Sequence, residues 1–151
     1  MRFPLTAAAL LLATSLPALA QETGDPEAGE KLFNRCRSCH EIKAEDGTVI
    51  QRGGRTGPNL YGIIGRTAGS YDDFRYSDLL EQAGEDGLVW TEALLADYVA
   101  DPTGFLQDHT GASGRSRMTF RLTRGGADVA AYLGSVAQTQ AAGTDAAAAK
   151  D

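Results

Sequence analysis

The chain has 151 residues, with 20 acids against 14 bases, a formal net charge of −6 and a pI near 4.9. That balance excludes a general nucleic-acid binder. At 42% hydrophobic residues the chain can bury one core, while both cysteines and one of the two histidines fall in a single cluster, with no second Cys or His cluster to complete a zinc site.

Met1 and Arg2 give a short basic start, "PLTAAALLLATSLP" an apolar run, and Ala18-Leu19-Ala20 small residues where signal peptidase cuts. Residues 1–20 are therefore expected to be a cleaved secretory signal, and 21–137 one domain. No second long apolar segment follows, so a soluble periplasmic protein is expected. In that oxidising compartment two neighbouring cysteines commonly pair, which leaves their role open at this point.

"GDPEAGEKLFNRC" predicts the first helix, capped by Asp25, with Pro26 in its first turn and Gly29, Leu32, Phe33 and Cys36 on one face. Residues 41–70 carry seven glycines and no periodicity, too long a loop for a compact domain unless a large apolar cofactor fills its middle. "SDLLEQAG" predicts a short helix capped by Ser77 and ended by Gly84. A further helix starts at Thr91 and stops before Pro102, aligning Leu94, Leu95 and Tyr98. "ADVAAYLGSVA" gives the last, with Val129, Tyr132, Leu133 and Val136 on one side. No segment alternates like a strand. Residues 138–151 hold too little large apolar character to pack and are expected to be disordered.

Chemistry concentrates at "CRSCH", residues 36–40. C-x-x-C-H is the signature for covalent haem attachment. Cys36 and Cys39, one helical turn apart, can each form a thioether to a haem vinyl group, and His40 is then held beside the iron. A thioredoxin-like dithiol would need a strand before Cys36, and none is predicted. For the other side of the iron the candidates are Met118 and His109. Met118 lies in "GRSRMTF", a polar loop unsuited to a core methionine, and is preferred over His109, which reads as solvent-exposed.

In order along the chain, "GDPEAGEKLFNRCRSCH", "TGPNLYGIIGRTAG", Trp90 before "TEALLADYVADP", "RSRMTF" and "DVAAYLGSV" resemble class I c-type cytochromes. The resemblance covers about residues 24–137 and is strongest to the alphaproteobacterial, mitochondria-like cytochromes c-two and c-five-fifty. It implies an all-α fold, three main helices with short helices and long loops wrapped around one haem c attached through Cys36 and Cys39. It also implies His40 and Met118 as axial ligands, and Pro58 as the carbonyl that orients His40. Arg66, Tyr76 and Trp90 match residues near a haem propionate, and Tyr98 the tyrosine beside the methionine sulfur. Phe120 matches an aromatic beyond that methionine. Gly29 and Tyr132 match a close helix contact. Two departures stand out: Leu80 where the family commonly has asparagine, and a long segment between Pro102 and Met118.

The implied function is electron transfer, not catalysis, by a monomer shuttling between a membrane cytochrome bc-type complex and a terminal oxidase or photosynthetic reaction centre. Charge segregation fits transient docking. Eleven bases fall in 31–66 and 115–124, beside only three acids. Arg35, Arg37, Arg55, Arg115, Arg117 and Arg121 are the candidate docking residues. The competing classes are a gas-binding or peroxidase haem protein, which needs an open iron position, and an exported thiol oxidoreductase.

Overall fold

A computed structural model describes the backbone of residues 24–148 and the side chains of 24–138. The expected signal peptide, residues 1–20, lies outside the described residues, as do 21–23 and 149–151.

Asp25 opens α1 (Pro26–Phe33), its carboxylate accepting the Glu27 and Ala28 N–H groups at 2.9 and 3.3 Å. These bonds satisfy donors that the first turn leaves without partners. α1 packs against α5 (Gly126–Ala148), the long helix at the other end of the chain. The approach is close because residue 29 is glycine: a β-carbon there would overlap the Asp128 carbonyl and lie 2.9 Å from Tyr132 Cβ. Beside it Phe33, fully buried, meets the Tyr132 ring at 5.8 Å between centroids. Burying one such side chain contributes roughly 2–3 kcal/mol.

Three helices complete the wall. Ser77 caps α2 (Asp78–Glu85), Thr91 caps α3 (Glu92–Ala100), and α3 also packs on α5. α4 (Pro102–Thr110) follows α3 after a single residue. The sequence had suggested only a stop at Pro102. In the fold Asp101 ends one helix and caps the next, its carboxylate accepting the Gly104 N–H at 3.2 Å, with Pro102 in the first helical position. Gly111, at φ 67°, ends α4 in the left-handed conformation that glycine adopts without steric cost.

The last helix is also longer than expected. Its backbone continues through Ala148, into the region 138–151 read as disordered. The physical reason is intrinsic propensity: the tail is alanine-rich, and alanine extends a helix that packing has already nucleated.

Residues 41–70 are irregular but not unpaired. Two very short strands, β1 (Ile42–Lys43) and β2 (Val49–Gln51), form an antiparallel pair that the period-two signal was too brief to reveal. Asn59 spans the loop, donating to the Lys43 carbonyl at 2.7 Å and accepting its N–H at 3.0 Å. Farther on, Gly65 N–H donates to the Trp90 carbonyl (2.8 Å) and Trp90 N–H to that of Arg66 (3.0 Å). Backbone groups a helix would have paired internally are paired here across the molecule.

Candidate functional site

Beyond α1 the chain winds on through hydrogen-bonded turns. The Cys36 N–H donates to Phe33 O at 2.8 Å, and the Cys39 and His40 N–H groups both donate to Cys36 O, at 3.1 and 3.0 Å. The two thiols thus stand one turn apart, with His40 directly after them. Both are free, and they differ chemically. Burial pushes the half-buried Cys36 up to about 11 despite the nearby Arg35 charge. Hydrogen bonds from Thr56 and Ser38 hold the exposed Cys39 below the ordinary thiol value.

His40 has one defined orientation. Its Nδ1 lies 2.8 Å from the Pro58 carbonyl oxygen, which can only accept, so Nδ1 carries the proton and Nε2 keeps its lone pair. Burial lowers the imidazole pKa and outweighs the opposing Pro58 bond, which keeps the ring neutral and able to ligate. Gly57 makes room for it: a β-carbon there would overlap the imidazole.

A cavity of about 280 Å³ opens onto this ring, and the nine residues expected to bind the cofactor all line it: Cys36, Cys39, His40, Pro58, Arg66, Tyr76, Trp90, Tyr98 and Met118. Its apolar wall comes from every part of the chain, including Leu60, Ile63, Leu80, Leu95, Val99, Val129 and Leu133. The Trp90 and Tyr98 rings meet at 5.0 Å, and Phe105 of α4 stacks on Trp90 at 6.0 Å.

Met118 reaches the cavity from an ordered segment. The buried Ser116 hydroxyl accepts the Met118 N–H at 3.1 Å and shares a 3.1 Å hydrogen bond with the Tyr98 hydroxyl. Arg117 donates to the Arg75 carbonyl at 2.9 Å. Arg66 is half-buried and held by the carbonyls of Asn59 (3.1 Å) and Tyr61. Among the described residues it has no carboxylate partner, so its charge is available to an anionic group in the cavity.

The chemistry of this lining fits haem c. It has two thiols at attachment spacing, a neutral imidazole with a free lone pair, a thioether sulfur, an apolar enclosure and a cation left for a propionate. Comparison with known proteins agrees. No family model matches the chain. It is 51% identical over 132 residues to cytochrome c2 of Rhodobacter capsulatus, covering 87% of this chain and 93% of that protein. To cytochrome c-550 of Paracoccus versutus it is 46% identical over 136 residues, 88% of each. The solved structure of the R. capsulatus cytochrome c2 superposes with a TM-score of 0.74, covering 75% of this chain and 98% of that one.

The chain belongs to the cytochrome c2/c-550 family.

Cytochromes c2 and c-550 are electron carriers, not enzymes, and this chain is an electron carrier that exchanges electrons with partner proteins. Family membership and the Cys36–Cys39 pair together assign it one covalently attached haem c. His109 lies on the exposed end of α4, stacked on Phe105 at 6.2 Å and away from the cavity lining. Leu80 is buried and lines the cavity with an apolar side chain.

Sequence reasoning missed Gly57, Thr103 and Gln107. For Gly57 the adjoining "GP" could have served as a cue to close approach. For the other two, "ADPTG" repeats the Asp-Pro start of "GDPEAG" and carries a helix cap in plain view.

Proposed function

We propose that this cytochrome c2-family protein holds its haem iron between His40 Nε2 and Met118 Sδ and works as a monomeric periplasmic one-electron shuttle. It takes electrons from a membrane cytochrome bc-type complex and delivers them to a terminal oxidase or photosynthetic reaction centre. Export rests on residues 1–20, whose removal would start the mature chain near Gln21. No described helix is long and apolar enough to cross a membrane.

The observation that carries the ligand assignment is the committed tautomer of His40: with Nδ1–H donated to Pro58, Nε2 is free to bind metal within the cavity that Met118 also lines. Bound haem supplies the one-electron ferric/ferrous couple. The chain's own residues do the rest. Pro58 fixes the imidazole plane, and Tyr98 and Ser116 anchor the methionine segment. The apolar lining disfavours the extra ferric charge, and methionine sulfur favours ferrous iron, so both raise the potential.

Docking uses the basic residues of 31–66 and 115–124. Arg35 lies over the Phe120 ring at 5.3 Å, and both Arg35 and Arg117 line the cavity. Arg55 and Arg121 are already paired, with Glu41 at 3.9 Å and Asp101 at 2.7 Å, so they add less free charge than Arg35, Arg37, Arg115 and Arg117.

The deciding experiment is exposure of the reduced protein to carbon monoxide at neutral pH, followed by the haem absorption spectrum. The closed-iron reading expects no change in the native protein and full carbonyl formation in Met118→Leu. Rapid complete conversion of the native protein would overturn it in favour of a gas-binding or enzymatic haem.

A further inference from the structure

The helix between the α3 stop and the methionine segment has a polar face with a specific use. Thr103 and Gln107 are four residues apart, so they share one side of α4. The chain that follows runs back along that side. Gln107 Nε2 donates to the Gly114 carbonyl at 2.8 Å. One helical turn earlier, Thr103 Oγ1 accepts the Ser116 N–H at 3.2 Å. At the head of the helix Asp101 takes Arg121 at 2.7 Å. As α4 is traced backward from 107 to 103 to 101, the segment runs forward through 114, 116 and 121, with Met118 between the last two ties.

We propose that α4 is a splint for the Met118 segment, and that Thr103 and Gln107 are positioning residues that keep the methionine sulfur on the iron. The proposal rests on Met118 ligation as stated above. Its physical basis is that a ligand carried on irregular chain leaves the metal when that chain swings away. Swinging away here breaks the ties of Gly114 and Ser116 to α4 and the bond of Ser116 to Tyr98. Ser116 is 6% exposed, so its N–H deprived of Thr103 has little access to water, and the closed arrangement loses stability relative to the open one.

The test measures cyanide binding to the ferric holoprotein, which requires the sixth position to open, together with the sulfur-to-iron charge-transfer absorption. In Thr103→Val/Gln107→Leu the cyanide on-rate is expected to rise by about tenfold or more, as two net hydrogen bonds are lost from the closed state. Thr103→Ser, which keeps the acceptor, should return to within about twofold of the native rate. Asp25→Ala removes a cap of comparable strength on α1, at residues that do not line the cavity, and controls for stability alone. If the double variant does not yield folded haem protein, Thr103→Val by itself carries the test, with a rise of about threefold expected. A rate unchanged in the variants, or raised equally by Asp25→Ala, overturns the splint. Absence of the charge-transfer band from the native protein overturns Met118 ligation instead, so the two failures are distinct.

Discussion

A single hydrogen bond decides what His40 can do. The Pro58 carbonyl fixes the proton on Nδ1, and burial keeps the imidazole neutral, so the ring presents Nε2 to the cavity without competition from protonation. Gly57 is the silent partner of that arrangement. Gly57→Ala places a methyl group inside the space of the imidazole, and the ring or the loop must shift. The expected cost is about 1–3 kcal/mol of unfolding free energy, the range for an overpacked core. A denaturant titration of the holoprotein checks the magnitude, and an altered haem spectrum would show that the imidazole is what moved. At this scale the motif residues were legible because C-x-x-C-H is a local pattern whose chemistry depends on adjacent atoms. Gly57 was not, since its neighbour across space is seventeen positions away and glycine gives no sign of why it is small.

At the scale of elements, the caps wrote themselves into the sequence. Asp25 and Ser77 cap the helices they were expected to cap, and Thr91, at the expected start of α3, accepts the Leu94 N–H. α4 is not legible in the sequence because a proline after α3 marks a stop and equally suits the first position of a new helix. The closest element contact is α1 on α5 at Gly29. Gly29→Ala must separate the helices by pushing on the Asp128 backbone, which has no flexible side chain to give way. A loss of about 2 kcal/mol is expected, lowering the thermal midpoint by roughly 10 °C in a domain of this size. Asp101→Ala should cost about 1 kcal/mol in a urea titration, since it removes the α4 cap and the Arg121 ion pair together. An unchanged midpoint there would mean that the exposed ion pair and the cap add nothing measurable.

At the scale of the whole molecule, the proposed docking rests on how charge is distributed. The bases of 31–66 and 115–124 are far apart in sequence, yet Arg35 and Arg117 line the same cavity. Most acids lie outside those stretches. Such a distribution gives the molecule a direction in the field of an acidic partner, and added salt screens it within about 10 Å at 0.1 M. Arg35→Glu/Arg117→Glu is expected to slow bimolecular electron transfer to the membrane acceptor by about tenfold at low salt and to flatten its ionic-strength dependence. Stopped-flow rates over a salt series would check both. A rate indifferent to salt in the native protein would end the electrostatic account.

Sequence alone determined the haem attachment, two of the four N-terminal helix caps and the faces of the main helices. All of these are set by residues within a turn or two of one another, where backbone geometry leaves few choices. The tertiary structure decided everything that joins distant positions. It brought Arg66, Tyr76, Trp90, Tyr98 and Met118 to the cavity holding Cys36 and His40, paired the glycine-rich loop across the molecule, and laid the methionine segment along α4. Those outcomes depend on which apolar faces bury each other, and burial carries no directional label in the sequence. Only the packed chain could show that Thr103 and Gln107 stand behind Met118.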